Sequence, residues 1–93
     1  MKAPRNMIGP KLRQIRFERG LTQPALAAMC QLKGWDMSRD MLARIEGQSR
    51  WVADFELVFL ANVLELTTGE LLPDSKSAGL AKKMVSRLER RVE

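Results

Sequence analysis

Apolar residues along this chain recur every three or four positions and never alternate, so the pattern predicts helices and no strands. In the first stretch Ile8, Leu12, Ile15 and Arg19 keep helical spacing. Leu12 and Ile15 face inward, Lys11, Arg13 and Arg16 fall mainly outside, and Gly20 closes the helix. Its start is open between Gly9 as cap with Pro10 at the first helical position, and Asn6 capping a helix that begins earlier. Thr22 caps a second helix, where Leu21 and Leu26 form a hydrophobic staple and Leu26, Ala27 and Cys30 make the apolar side. The small residues Ala25, Ala27 and Ala28 allow close approach of another helix.

Ser38 starts a third helix in the same manner, with Met37 and Leu42 as staple, Leu42 and Ile45 as buried stripe and Gly47 as stop. Asp54 is the expected cap of a fourth. There Leu57, Val58, Leu60, Ala61 and Leu64 leave little exposed side, which marks it as central. Thr67 and Glu70 make a capping box and Leu66 and Leu71 a staple for a short fifth helix that ends at Pro73. After the polar run Asp74-Ser75-Lys76-Ser77, Leu80, Met84, Val85 and Leu88 return at helical spacing among Lys82, Lys83, Arg87, Arg90 and Arg91. The fold class is therefore all-α, with a core built on Leu12, Ile15, Leu26, Ala27, Cys30, Leu42, Ile45, Leu60, Leu64 and Leu71. Residues 1–7 are expected as a flexible basic end, 8–73 as the domain, and 74–93 as a basic amphipathic helix or tail.

Ninety-three residues make one small core and leave little material for a large enzyme pocket. No run approaches a membrane span or a secretion signal, so a soluble, cytoplasmic protein is expected. The single Cys30 has no partner for an internal disulfide and fits a reducing compartment. With no histidine, and no carboxylates clustered at metal-holding spacing, neither catalysis, a metal nor a cofactor is expected. Charge changes the picture more. The net +5 is unevenly laid out: six basic groups against one acidic in residues 1–20, five acidic and no basic in 51–74, six basic against two acidic in 75–93. Such blocks suit a phosphate-bearing partner, or simply a solvated surface.

Helices that end at Gly20 and begin at Thr22 and Ser38 raise a helix-turn-helix. The ordered pair "GLTQPALA" and "SRDMLARIEG", with Ile8-Gly9, Leu12-Arg13, Leu60-Ala61, Leu64, Leu66-Thr67 and Glu70-Leu71-Leu72, resembles the Cro and phage-repressor (Xre-like) DNA-binding family over residues 8–72. The resemblance implies a compact five-helix repressor-like domain, here with a C-terminal sixth helix, from a prokaryote or phage. It implies double-stranded DNA as partner, transcription regulation as function, and the third helix, residues 38–46, in the major groove. One departure stands out. The connection through Leu32-Lys33-Gly34-Trp35-Asp36 is about five residues longer than is usual in the family. Because Ser38 to Gly47 keeps its register, the extra length is expected to bulge as a loop or an extra turn, with Trp35 either on the core or meeting a partner.

On the resemblance, Arg39, Asp40, Ala43 and Arg44 form the base-reading face. Arginine can donate twice to guanine and aspartate can accept from cytosine, while Asp40 and Arg44 four apart can equally form a local ion pair. Gln23, Gln48, Ser49 and Arg50 are the implied phosphate contacts, with Lys11, Arg13 and Arg16 adding charge. Trp51 is expected to pack against the fourth helix rather than stack on a base. Leu80, Met84, Val85 and Leu88 need a cover, and a homodimer through that face is the favoured one. A different class remains alongside: a helical protein-binding module or antitoxin-like component, for which the acidic region 51–74 would suit a basic protein partner.

Overall fold

The computed structural model describes residues 3–73 and 78–92. Its described elements are six helices: α1 (Gly9–Glu18), α2 (Gln23–Leu32), α3 (Arg39–Glu46), α4 (Asp54–Val63), α5 (Thr68–Leu71) and α6 (Ala78–Val92). The caps that the side chains announced are mostly formed. Thr22 Oγ1 accepts from the Ala25 N–H at 3.2 Å, Ser38 Oγ from Met41 at 3.1 Å, and Thr67 Oγ1 from Glu70 at 3.3 Å. Neither expected start of α1 is met as given: the helix begins at Gly9 with Ile8 in the cap position and no side-chain cap, while Asn6 Oδ1 accepts from the Gly9 N–H at 2.9 Å just ahead of it.

The start of α4 differs from expectation. Ala53, not Asp54, is the cap residue, and the orphan Ala53 N–H donates to Glu56 Oε1 at 3.0 Å. Asp54 becomes the first helical residue, its carboxylate 2.7 Å from the Phe55 N–H. Only the returning half of a capping box exists here, since alanine has no side-chain acceptor. α4 is also less enclosed than its apolar sequence suggests. Leu60, Ala61, Val63 and Leu64 are buried, but Phe55 and Val58 are exposed.

The ten residues expected in the core are all buried, joined by Ile8, Met37, Ala61 and Val63. α2 packs on α3 and α4, α1 on α3, and α5 on α4. The approach of α1 to α3 depends on Gly9. A Cβ there would stand 2.4 Å from the Ile45 carbonyl oxygen and 2.7 Å from that of Glu46, so only glycine fits. Burial pushes the Cys30 thiol up to about 11, which fits a packing residue rather than a reactive one.

The lengthened connection is one extra turn followed by a loop. α2 continues to Leu32, Gly34 turns the chain with φ of 106°, and the Trp35 N–H returns to the Cys30 carbonyl at 3.0 Å. Met37 then enters the core with no exposed surface, its carbonyl accepting from Gln31 Nε2 at 2.6 Å. Leu42 stays fully buried, so α3 keeps its seat.

Residues 5–7, expected as part of a flexible end, are tied to the domain. Asn6 is buried and donates to the carbonyls of Ile45 at 3.1 Å and Arg50 at 2.9 Å, and the Arg5 N–H donates to the Gln48 carbonyl at 2.9 Å. On α6, Met84 is half-buried while Val85 and Leu88 are exposed; the Leu80 side chain lies outside the described residues. Replacing Gly9 by alanine is expected to lower unfolding stability by about 1–3 kcal/mol, because backbone must move rather than a side-chain tip. Urea unfolding of Gly9→Ala checks this; an unchanged midpoint would contradict the close approach.

Candidate nucleic-acid interface

α3 has two unlike sides. Leu42, Ile45 and Glu46 are buried, whereas Arg39, Asp40 and Arg44 are exposed and Ala43 is half-exposed between them. The alternative of a local Asp40–Arg44 pair is not realised: the ion pairs among the described residues are Arg16–Glu46 and Arg50–Glu56. Arg39 occupies the first helical position, where a cation opposes the helix dipole, and among those pairs it has no anion to compensate. The outer side of α3 thus presents donors and an acceptor that no partner among the described residues claims.

Arg13, Gln23, Arg39, Ala43 and Gly47 line one open cleft of about 490 Å³ where the N-terminus of α2 meets the flank of α3. Arg16 lines it as well, so the structure gathers two expected base readers, Arg39 and Ala43, with three expected phosphate contacts, Arg13, Arg16 and Gln23. Lys11 is exposed but faces elsewhere, on a cleft shared with Gln48, Glu70 and Leu72.

Arg16 departs from its expected role. It is 7% exposed, and its guanidinium grips Glu46 by two bonds, Nε to Oε2 at 2.7 Å and Nη2 to Oε1 at 3.0 Å, with Nη1 donating to the Leu21 carbonyl at 2.9 Å. The hydrogen bond to Glu46 raises its pKa, burial opposes that rise, and the carboxylate's charge adds to it. The Phe17 ring lies 4.7 Å from this guanidinium. Helical periodicity put Arg16 outside because the anion that draws it inward stands thirty residues away. The Arg16 donors are directed at Glu46 and Leu21, although the residue still borders the cleft. Gln23 keeps a place near the surface, but Nε2 donates to Glu46 Oε1 at 3.1 Å, which fixes the amide's orientation at the cleft.

The segment after α3 is also held. Gly47 stops the helix with an ordinary φ of −82°, and it is Gln48 that takes the left-handed conformation at 61°. The Gln48 and Ser49 N–H groups return to Ile45 and Arg44 at 3.0 and 2.9 Å. Gln48 Nε2 donates to the Asn6 carbonyl at 3.0 Å, and Ser49 is exposed with its hydroxyl 3.4 Å from the Arg44 carbonyl. Arg50 is engaged inside the protein: Nη1 and Nη2 donate to Glu56 at 3.1 and 3.2 Å. Burial alone would raise the Glu56 pKa, but the Arg50 hydrogen bonds, the Ala53 N–H and the Arg50 charge outweigh it and hold the carboxyl below its ordinary value. Trp51 is 42% exposed and borders one cleft with Arg5, Met84, Arg87 and Leu88 and another with Ala53, Asp54 and Leu57.

Glu46 and Glu56 are organising polar residues that the sequence did not announce, and Asn6, a candidate cap in sequence, also bridges the Ile45 and Arg50 carbonyls. Glu46 stood in the quoted motif, yet its pairing with Arg16 has no local signal. Among the described residues no three His, Cys, Asp or Glu side chains gather as a metal site, and no helix is long and apolar enough to cross a membrane.

Removing the Glu46 charge strands a buried guanidinium, so Glu46→Gln is expected to cost about 3–5 kcal/mol of stability. Pairing it with Arg16→Met is expected to cost clearly less than the two changes summed, by urea unfolding. Simple additivity would mean that the pair carries no coupling.

No protein-family model and no curated protein matches this chain. Solved structures do. The restriction-modification controller protein C.AhdI from Aeromonas hydrophila aligns at TM-score 0.61 and 27% identity, over 71% of this chain and 92% of that one. The DNA-binding domain of BldD aligns at TM-score 0.64 and 27% identity, over 78% of this chain and all (100%) of that one.

Proposed function

We propose that this chain, whose fold is that of an Xre/Cro-type helix-turn-helix DNA-binding domain, binds double-stranded DNA sequence-specifically as a small transcriptional regulator and is not an enzyme. The observation that carries the reading is the outer side of α3, where Arg39, Asp40, Ala43 and Arg44 stand exposed on a helix locked from behind by Leu42, Ile45 and Glu46. Such a helix enters a major groove with its first turn toward base edges. Arg39 and Arg44 are suited to guanine O6 and N7, and Asp40 to a cytosine amino group. The two similar structures support the same reading, one being a restriction-modification controller protein and the other a DNA-binding domain.

Phosphate contact is assigned to Gln23, whose amide is oriented by Glu46, to Arg13 across the cleft, and to Ser49 and Gln48 after α3. A homodimer extends this, since one short helix reads few base pairs. The exposed apolar residues Val85 and Leu88 on α6 supply a face for it, with half-buried Met84 and Leu88 both on the cleft that Trp51 borders. The protein-partner reading has its own observation. Phe55 is 72% exposed and Val58 47% exposed on α4, in the part of the chain with no basic residue. A basic protein would find an apolar stripe with acidic flanks there.

Selection of bound duplexes from a random pool at stated salt tests recognition. Arg39→Ala is then expected to narrow the preference for the selected site over random DNA by about 1–3 kcal/mol; equal losses on both would remove it from base reading. Sedimentation tests assembly: wild type is expected to dimerise at tens of micromolar and Leu88→Asp to remain monomeric. A monomeric wild type that binds one chain per duplex would contradict the dimer.

A further inference from the structure

We infer that Trp35, Arg50 and Glu56 form a brace that positions the Gln48–Ser49 segment against a DNA phosphate, Arg50 acting through Glu56 rather than touching DNA. The inference rests on the DNA-binding reading above. It gives the lengthened α2–α3 connection a task that the short turn of a helix-turn-helix does not perform.

The geometry closes from several sides. The Arg50 guanidinium lies between the Glu56 carboxylate, reached by bonds of 3.1 and 3.2 Å, and the Trp51 carbonyl at 2.9 Å. The two side chains are 28% and 17% exposed, too enclosed for a freely swinging surface pair. The Trp35 ring stands 6.0 Å from the guanidinium, near the limit of a cation–π contact, and meets the Phe59 ring edge-on at 5.5 Å and 90°. The Trp35 backbone is fixed because its amide N–H returns to the Cys30 carbonyl, and the ring is held by its edge-on contact with Phe59. The ring carried by the inserted loop thus joins the end of α2 to α4 and to the chain leaving α3.

That chain is pinned at both ends. The Gln48 and Ser49 N–H groups are tied back to α3, and the Arg50 carbonyl accepts from Asn6 Nδ2 at 2.9 Å. Between them Gln48 is held at φ of 61°, a conformation that a side-chain-bearing residue keeps only when its surroundings impose it. Ser49 is the exposed residue at this corner. Arg50 looks in sequence like the phosphate contact, but its donors are directed at Glu56 and Trp51 over 2.9 to 3.2 Å, whereas the exposed Ser49 hydroxyl has only a long 3.4 Å bond to the Arg44 carbonyl, which a phosphate oxygen can replace.

The two roles for Arg50 predict opposite results. If Arg50 contacted phosphate, Glu56→Gln would release it and leave DNA affinity equal or tighter, Arg50→Lys would be mild, and Arg50→Ala would flatten the salt dependence by about one charge. If it is a positioning residue, Arg50→Lys, Glu56→Gln and Trp35→Leu each weaken binding to the selected duplex by about tenfold. The salt slope stays at the wild-type value, and Arg50→Lys with Glu56→Gln together is no worse than either alone. Amide hydrogen exchange of Ser49 in the free protein, expected to be faster in all three variants, reads the brace without DNA. Exchange at the Leu42 and Leu64 amides in the same samples, expected to be unchanged, reports that each variant remains folded elsewhere. Undiminished affinity in Glu56→Gln, a flattened slope in Arg50→Ala, or unchanged Ser49 exchange would each overturn the brace. A wild type with no preference among duplexes would instead overturn the DNA-binding reading, and the exchange result would stand apart from it.

Discussion

The buried pair between Arg16 and Glu46 is the constraint on which the rest of the domain depends. Glu46 sits at the last turn of α3, and the guanidinium that holds it belongs to α1. The same guanidinium takes the Leu21 carbonyl in the turn before α2, and the same carboxylate takes the Gln23 amide at the start of α2. Three helices therefore meet on one ion pair. Hydrophobic burial of Leu12, Leu26, Leu42 and Ile45 drives them together, but it is tolerant of small rotations; a two-pronged guanidinium–carboxylate contact in a site this dry is not. It fixes the rotation of α3 about its own axis, which decides that Arg39, Asp40 and Arg44 face outward.

A second polar network fixes where the chain goes next. Asn6 bridges the carbonyls of Ile45 and Arg50, while Arg50 reaches Glu56 at the head of α4. Gly9 lets α1 lie close enough for both networks to form at once. The acidic residue that caps α4 is in this way also the anion that holds Arg50, so the start of α4 and the exit from α3 are one structural unit.

Local signals carried much of this in the sequence itself. Thr22, Ser38 and Thr67 announced their helices because a capping hydroxyl acts within three residues, and the apolar stripes located the core because helical period alone sorts Leu12, Leu42 and Leu60 inward. The outer side of α3 was legible for the same reason. What periodicity cannot express is a bond between distant residues. Arg16 falls on the polar side of α1 by spacing and is drawn in by Glu46; Arg50 follows the glycine stop as an apparent surface cation and is claimed by Glu56. Ala53 has no capping side chain, so Asp54 took its place in the reading, and the true acceptor, Glu56, works from inside the helix. Phe55 and Val58 are exposed although apolar, since α4 has more apolar residues than its neighbours cover.

Amide chemical shifts of the labelled protein, followed as the selected duplex is added, test the central claim most directly. The account predicts the largest changes on α3 from Arg39 to Arg44, with a second group at Gln23 and at Gly47 to Ser49, and little change on α4 at Phe55 and Val58. Changes centred on α4 or α6, with α3 left as in the free protein, would contradict it.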